Sequence, residues 1–102
     1  MVLALPSNSS LKGKRKVVRS VLDRVRARFN AAAAEVEFLD EWRRAGLGFS
    51  VVSNDQSHAN SMLDAIASFI RSSADAVVVD EAIELVPMGS LMGNSGDKWG
   101  PQ

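Results

Sequence analysis

The densest group of chemically capable side chains in this 102-residue sequence is cationic. Lys12, Lys14, Arg15, Lys16, Arg19, Arg24, Arg26 and Arg28 fall in one segment in which Asp23 is the only acid. Eight bases against one acid give that segment +7. The other four bases and eleven acids leave −7 elsewhere, so a formal net charge of zero hides a two-sided molecule. Ammonium and guanidinium groups crowded in this way suit contact with the successive phosphates of a polyanion, because such binding depends on charge density rather than on a motif. In a helix, Lys12, Arg15, Lys16, Arg19 and Arg26 share about 100° of arc. Bases in the first turns oppose the helix macrodipole at about 0.3–1 kcal/mol each. Lys12/Lys16, Lys12/Arg15 and Arg15/Arg19 are also like-charged helical neighbours. Folding alone favours acids here. The alternative to a polyanion surface is a solvated face neutralised by acids from elsewhere in the fold.

Lys14 departs from that face. By helical phase it lies on the apolar stripe with Val18 and Val21, where a lysine does not readily stay buried. The expectation is a stem that covers the core edge and an ammonium that reaches water past the sheet end. The competing expectation is a lysine aimed at a small ligand over the strand ends.

The remaining candidates are weaker. His58 is the only histidine and there is no cysteine, so no transition-metal site can be completed. Nothing positions a serine beside His58 for nucleophilic chemistry, and it is read as a surface or boundary residue at the edge of its helix stripe. Glu35, Glu37, Asp80, Glu81 and Glu84 could hold a hard cation such as Mg²⁺, although strand-face carboxylates are more often simply solvated. P-loop, dinucleotide-binding, zinc and kinase motifs are absent. The expectation is a non-enzymatic protein with no catalytic residue, metal or cofactor. Trp42, in a polar turn, either folds back over a core edge or is presented to a partner.

The elements that carry these residues follow from local pattern. Val2–Leu5 is apolar and stopped by Pro6, the end of a strand. Ser10 suits an N-cap. Leu11, Val18, Val21, Leu22, Val25 and Phe29 form one stripe of a helix of about five turns, which Asn30 can end. Ala31–Leu39 alternates, with Ala32, Ala34, Val36 and Phe38 on one face and Glu35 and Glu37 on the other. Ala45–Val52 is the next strand, with Leu47, Phe49 and Val51 on one face, paired to its neighbour as a hairpin. Asn54-Asp55 caps a second helix with the stripe Ala59, Met62, Leu63, Ile66, Phe69 and Ile70, ending near Ser72-Ser73. Ala76–Val86 is the last strand, with Val77, Val79, Ile83 and Leu85 facing the core and Asp80 and Glu84 opposite. The order β-α-β-β-α-β, with two singly striped helices on one face of an antiparallel sheet, is the ferredoxin-like α+β sandwich. One sheet face stays open.

Bulk properties bound the rest. The length suits one domain, assigned to residues 1–86, followed by a flexible Gly/Pro-containing tail over 87–102. No apolar run approaches the roughly 20 residues of a membrane span. The N-terminal run is too short for a signal peptide, so a soluble cytoplasmic protein is expected.

Two resemblances bear on function. Arg44–Val51 is faintly similar to the aromatic signature of the RNA recognition motif. Leu47 replaces one aromatic there, Ser50 replaces the following apolar residue, and the first strand offers no aromatic. The second resemblance is broader. The run Ser10-Leu11-Lys12-Gly13-Lys14-Arg15-Lys16-Val17-Val18, with Arg26-Ala27-Arg28-Phe29-Asn30, Ala34-Glu35-Val36 and Val51-Val52-Ser53-Asn54-Asp55, resembles the bacterial YlxP-like family, also called DUF503, a domain of unknown function. The resemblance covers about Val2 to Val86. It implies a ferredoxin-like fold, and the family's usual gene neighbourhood, beside translation initiation and ribosome maturation factors, implies an RNA- or ribosome-associated role. The family pattern S-L-K-E-K-R forms a capping box, which Gly13 breaks here by replacing the glutamate. The family's first strand also begins several residues earlier.

The resulting expectation is an RNA- or ribosome-binding protein that uses Lys12, Arg15, Lys16, Arg19 and Arg26, with Lys14 as an outlying candidate. A self-associating module is the alternative, pairing the Ala31–Phe38 edge strand with a copy of itself as a homodimer or one molecule's basic helix with another's acidic sheet. A small-ligand site near Lys14 is the third.

Overall fold

A computed structural model describes residues 1–73 and 76–87. The elements run β1 (Val2–Ala4), α1 (Leu11–Arg28), β2 (Ala32–Glu37), β3 (Arg44–Ser50), α2 (Gln56–Arg71) and β4 (Val77–Asp80). The sheet order is β2-β3-β1-β4 and every neighbouring pair is antiparallel. This is the α+β ferredoxin-like arrangement, in which each β-α-β unit steps across one strand and brings its helix back over the same face. Most of the tail expected at residues 87–102 lies outside the described residues.

Both helices begin where their caps dictate. The Ser10 hydroxyl accepts from the Gly13 amide at 2.9 Å, and the Asp55 carboxylate accepts from the Ser57 amide at 3.0 Å. Their stripes meet the sheet in one buried cluster that joins Leu3, Leu5, Ala45 and Leu47 to Val18, Val21, Leu22 and Val25 of α1 and to Ile66 and Ile70 of α2. Phe29 and Phe69 close the space between the helix ends with an edge-to-face contact at 5.8 Å.

Two strands face the opposite way from the sequence expectation. In β2, Ala33 and Glu35 turn toward the helices while Ala32, Ala34 and Val36 are exposed. Cross-strand pairing accounts for this. Ala33 lies opposite Phe49 and Glu35 opposite Leu47, and both partners pack on the core side. Alanines carry too little apolar area for alternation to choose a face, so the register of the hairpin chooses it. In β4, Ala76 and Val78 pack inward while Val77 and Val79 are more than half exposed.

β4 is also shorter than the expected Ala76–Val86. It is bonded to β1 alone, pairing ends at Val2↔Asp80, and residues 81–87 have no regular structure. Of the acids that the sequence suggested for the open sheet face, Glu35 turns to the core side, whereas Glu37, opposite Gly46, and Asp80, opposite Val2, stay on it. The open face also carries Ala32, Ala34, Val36, Gly48, Val77 and Val79, and Phe49 points away from it toward the core. The aromatic residue that the RNA recognition motif would place on that face from β3, Phe49, is therefore turned to the core side.

Candidate polyanion-binding surface

The outer face of α1 is built by the same periodicity that buries its inner face. With Val18, Val21, Leu22 and Val25 committed to the core, Lys12, Arg15, Lys16 and Arg19 stand exposed on the other side. None of the four makes a hydrogen bond or ion pair among the described residues. The acids that could have neutralised them are elsewhere. Asp23 lies 3.4 Å from Arg26, Glu41 holds Arg44 through two bonds of 3.0 and 2.9 Å, and Glu81 pairs with Arg71. The crowding inferred from sequence thus exists on the surface and is not relieved there.

Arg26 is the edge of this face. Besides Asp23 it donates to the Ala33 carbonyl at 2.5 Å, which fixes the guanidinium over β2. Arg24 bonds the Ser20 hydroxyl, and Arg28 lies over the Phe69 ring at 5.0 Å. These three arginines have internal roles, whereas the first two turns of the helix carry cations without any.

Lys14 contradicts both expectations for it. Its side chain is 0% exposed. The ammonium donates to the carbonyls of Phe38 at 2.7 Å, Leu39 at 3.1 Å and Arg44 at 3.4 Å, and lies 2.9 Å from Glu35 Oε2. An ammonium can leave water only when its donors and its charge are both answered, and this cage answers both. A fully buried lysine cannot reach a phosphate or a small ligand. It belongs to the structure of the site, because it pins the β2–β3 connection against the start of α1.

The same connection is held from above by residues not singled out from sequence. The Asn8 side-chain amide donates to the carbonyls of Ser10 and Trp42, and Arg43 Nε donates back to the Asn8 carbonyl at 3.1 Å. A Cβ added at Gly13 would stand 2.4 Å from Asn8 Oδ1. The glycine that breaks the family capping box is therefore the residue that admits Asn8. Gly13, unexplained by helix propensity, was the one available signal for it. Trp42 ends up 53% exposed and outside the core packing, next to the cap of α1.

The other candidates stay apart. His58 is exposed on α2, and no group of three or more potential metal ligands occurs among the described residues. A groove of about 280 Å³ opens between β3, α2 and residues 81–84, lined by Leu47, Phe49, Leu63, Ile66 and Glu84. It shares no lining residue with the basic face. No helix among the described residues is long and apolar enough to cross a membrane.

Fold and surface together define a small ferredoxin-like sandwich that presents an unneutralised basic helix. The chain belongs to the family described as a protein of unknown function, DUF503, whose model matches residues 1–83. It is similar to the uncharacterized protein YlxP of Bacillus subtilis (strain 168), with 35% identity over 63 residues that cover 62% of this chain and 68% of that relative.

Proposed function

We propose that this protein is a non-enzymatic, cytoplasmic RNA-binding protein that docks on ribosomal RNA or ribosomal particles through Lys12, Arg15, Lys16 and Arg19. The observation that carries the reading is that these four cations are exposed and unpaired among the described residues, although their spacing costs helix stability. Four phosphate contacts give a salt dependence of about −3 to −4 in log affinity against log salt, at ~0.7–0.9 per contact. Ribosomal RNA titrated at several salt concentrations tests this. Lys12→Gln/Lys16→Gln/Arg19→Gln is expected to flatten the slope by roughly two to three units, whereas Glu37→Gln should not weaken binding. The reading fails if the triple variant binds as tightly as the parent at every salt concentration.

A second reading, self-association, has its own observation. The open sheet face and the β2 edge expose alanine and valine side chains with no cover among the described residues. The charge-paired form, basic helix against acidic sheet, loses Glu35 to the core side and keeps Glu37 and Asp80 on that face, so the apolar form is the one carried forward.

A further inference from the structure

We infer that Trp42 is a base-stacking site beside the cationic face of α1, so that the RNA this protein takes is single-stranded where it crosses the β2–β3 connection. The inference rests on the proposed reading of α1 and adds the class of ligand.

Three observations meet at this residue. The first is placement. One side chain, Asn8, bonds both the Ser10 carbonyl at the cap of α1 and the Trp42 carbonyl, and Leu5 N donates to the Arg43 carbonyl at 2.9 Å. Trp42 is therefore anchored to the residues that immediately precede Lys12, and Arg43 adds a further exposed cation beside it.

The second is availability. The Trp42 ring makes no ring contact or cation–π contact among the described residues, and its N–H makes no hydrogen bond there. Among the described residues the other aromatics are engaged: Phe38 lies under the Arg44 guanidinium at 4.0 Å, Phe29 and Phe69 pack together, and Phe49 packs on the core.

The third is rigidity. The Lys14 ammonium binds three carbonyls of the connection, and Glu41 N donates to the Phe38 carbonyl at 3.0 Å. Residue 38 is held at a positive φ of 59°, a conformation that persists in a bulky residue only when its surroundings determine it.

An indole fixed half out of water beside a row of cations matches the way single strands are bound, with bases stacked on aromatic faces and phosphates held by lysine and arginine. A duplex offers no free base face. There the indole would contribute nothing and the cations alone would act.

Binding to a labelled oligouridylate of about ten nucleotides, within the ~4–16-nucleotide range of single-strand sites, is compared with binding to an RNA duplex. Trp42→Ala is expected to weaken oligouridylate binding roughly five- to a hundredfold. Trp42→Phe should recover most of that loss, and duplex affinity and salt slope should stay unchanged. In a Trp99→Phe background, where Trp42 is the sole indole, oligouridylate should quench the fluorescence, and this readout does not depend on the alanine variant folding. Equal single-strand and duplex binding by the parent, with no quenching and no effect of Trp42→Ala, would overturn the stacking site and leave the polyanion surface standing. No binding of the parent to either RNA would overturn both.

Discussion

Lys14 Nζ lies 2.9 Å from Glu35 Oε2 beneath the start of α1, an ion pair that links two residues the sequence had placed on opposite sides of the sheet. The carboxylate faces inward because the lysine gives it a partner, and the lysine stays buried because the carboxylate and three carbonyls satisfy it. Each residue explains the orientation of the other.

Removing one partner should therefore be worse than removing both. Lys14→Met is expected to cost about 3–5 kcal/mol, since Glu35 and the loop carbonyls lose their donor. Lys14→Met/Glu35→Leu should recover part of that, though not the part due to the carbonyls. Denaturant titration of the single variants and the double variant gives the coupling energy. A Lys14→Met protein as stable as the parent would show that the cage does not hold the β2–β3 connection.

Leu22 tests the core beneath the basic helix. It is buried in the cluster shared by both helices and the sheet, so Leu22→Ala should cost about 2–5 kcal/mol as a large-to-small core truncation. A loss below about 0.5 kcal/mol, the scale of an ordinary surface change, is incompatible with that packing.

Gly13 should reverse its effect with the identity of residue 8. In the parent, Gly13→Ala forces the Asn8 side chain out, at a cost of about 0.5–1.5 kcal/mol for each of two hydrogen bonds. That outweighs a gain of up to ~1 kcal/mol in helix propensity. In an Asn8→Ala background the 2.4 Å clash is gone and only the 3.1 Å approach to the Ser10 hydroxyl is left, which a shift of a few tenths of an ångström relieves, so the same substitution should stabilise. Thermal melting of the four proteins reads the sign directly, and a stabilising Gly13→Ala in the parent would remove Asn8 from its assigned place.

For self-association, sedimentation at tens of micromolar is the relevant measurement (on the scale where weak interfaces appear). Apolar sheet-face contacts should persist as salt is raised, because screening weakens charge pairs and not buried apolar area. Val77→Lys, on the exposed face, should then restore a monomer. A parent that is monomeric at both low and high salt removes this reading.

The fold was legible because its helices and its hairpin order carry local signatures. α1 shows its stripe, its serine cap and its length in eighteen consecutive residues, and α2 shows the same with Asp55. Hairpin adjacency of β2 and β3, together with one apolar stripe per helix, leaves few topologies. The exposed cations Lys12, Arg15, Lys16 and Arg19 were equally legible, since helical phase separates them from Val18, Val21 and Val25. Lys14 shares phase with those valines, and phase alone did show that it points inward. What it could not show is where the charge goes.

That answer depends on acceptors 24, 25 and 30 residues away at Phe38, Leu39 and Arg44. The facing of β2 and β4 is decided in the same long-range way. Ala32–Ala34 and Val77–Val79 have no strong alternation of their own, so strand register sets which residues are covered. Trp42 and the basic helix are brought together by Asn8, across thirty-four residues of separation. The amino-acid sequence by itself determined the elements, their caps and the phase of their charges, because those depend on neighbours within a turn or a pleat. Only the tertiary structure decided which charges are answered inside the molecule and which remain exposed and unpaired among the described residues, because that is a matter of distance between segments that the chain itself keeps far apart.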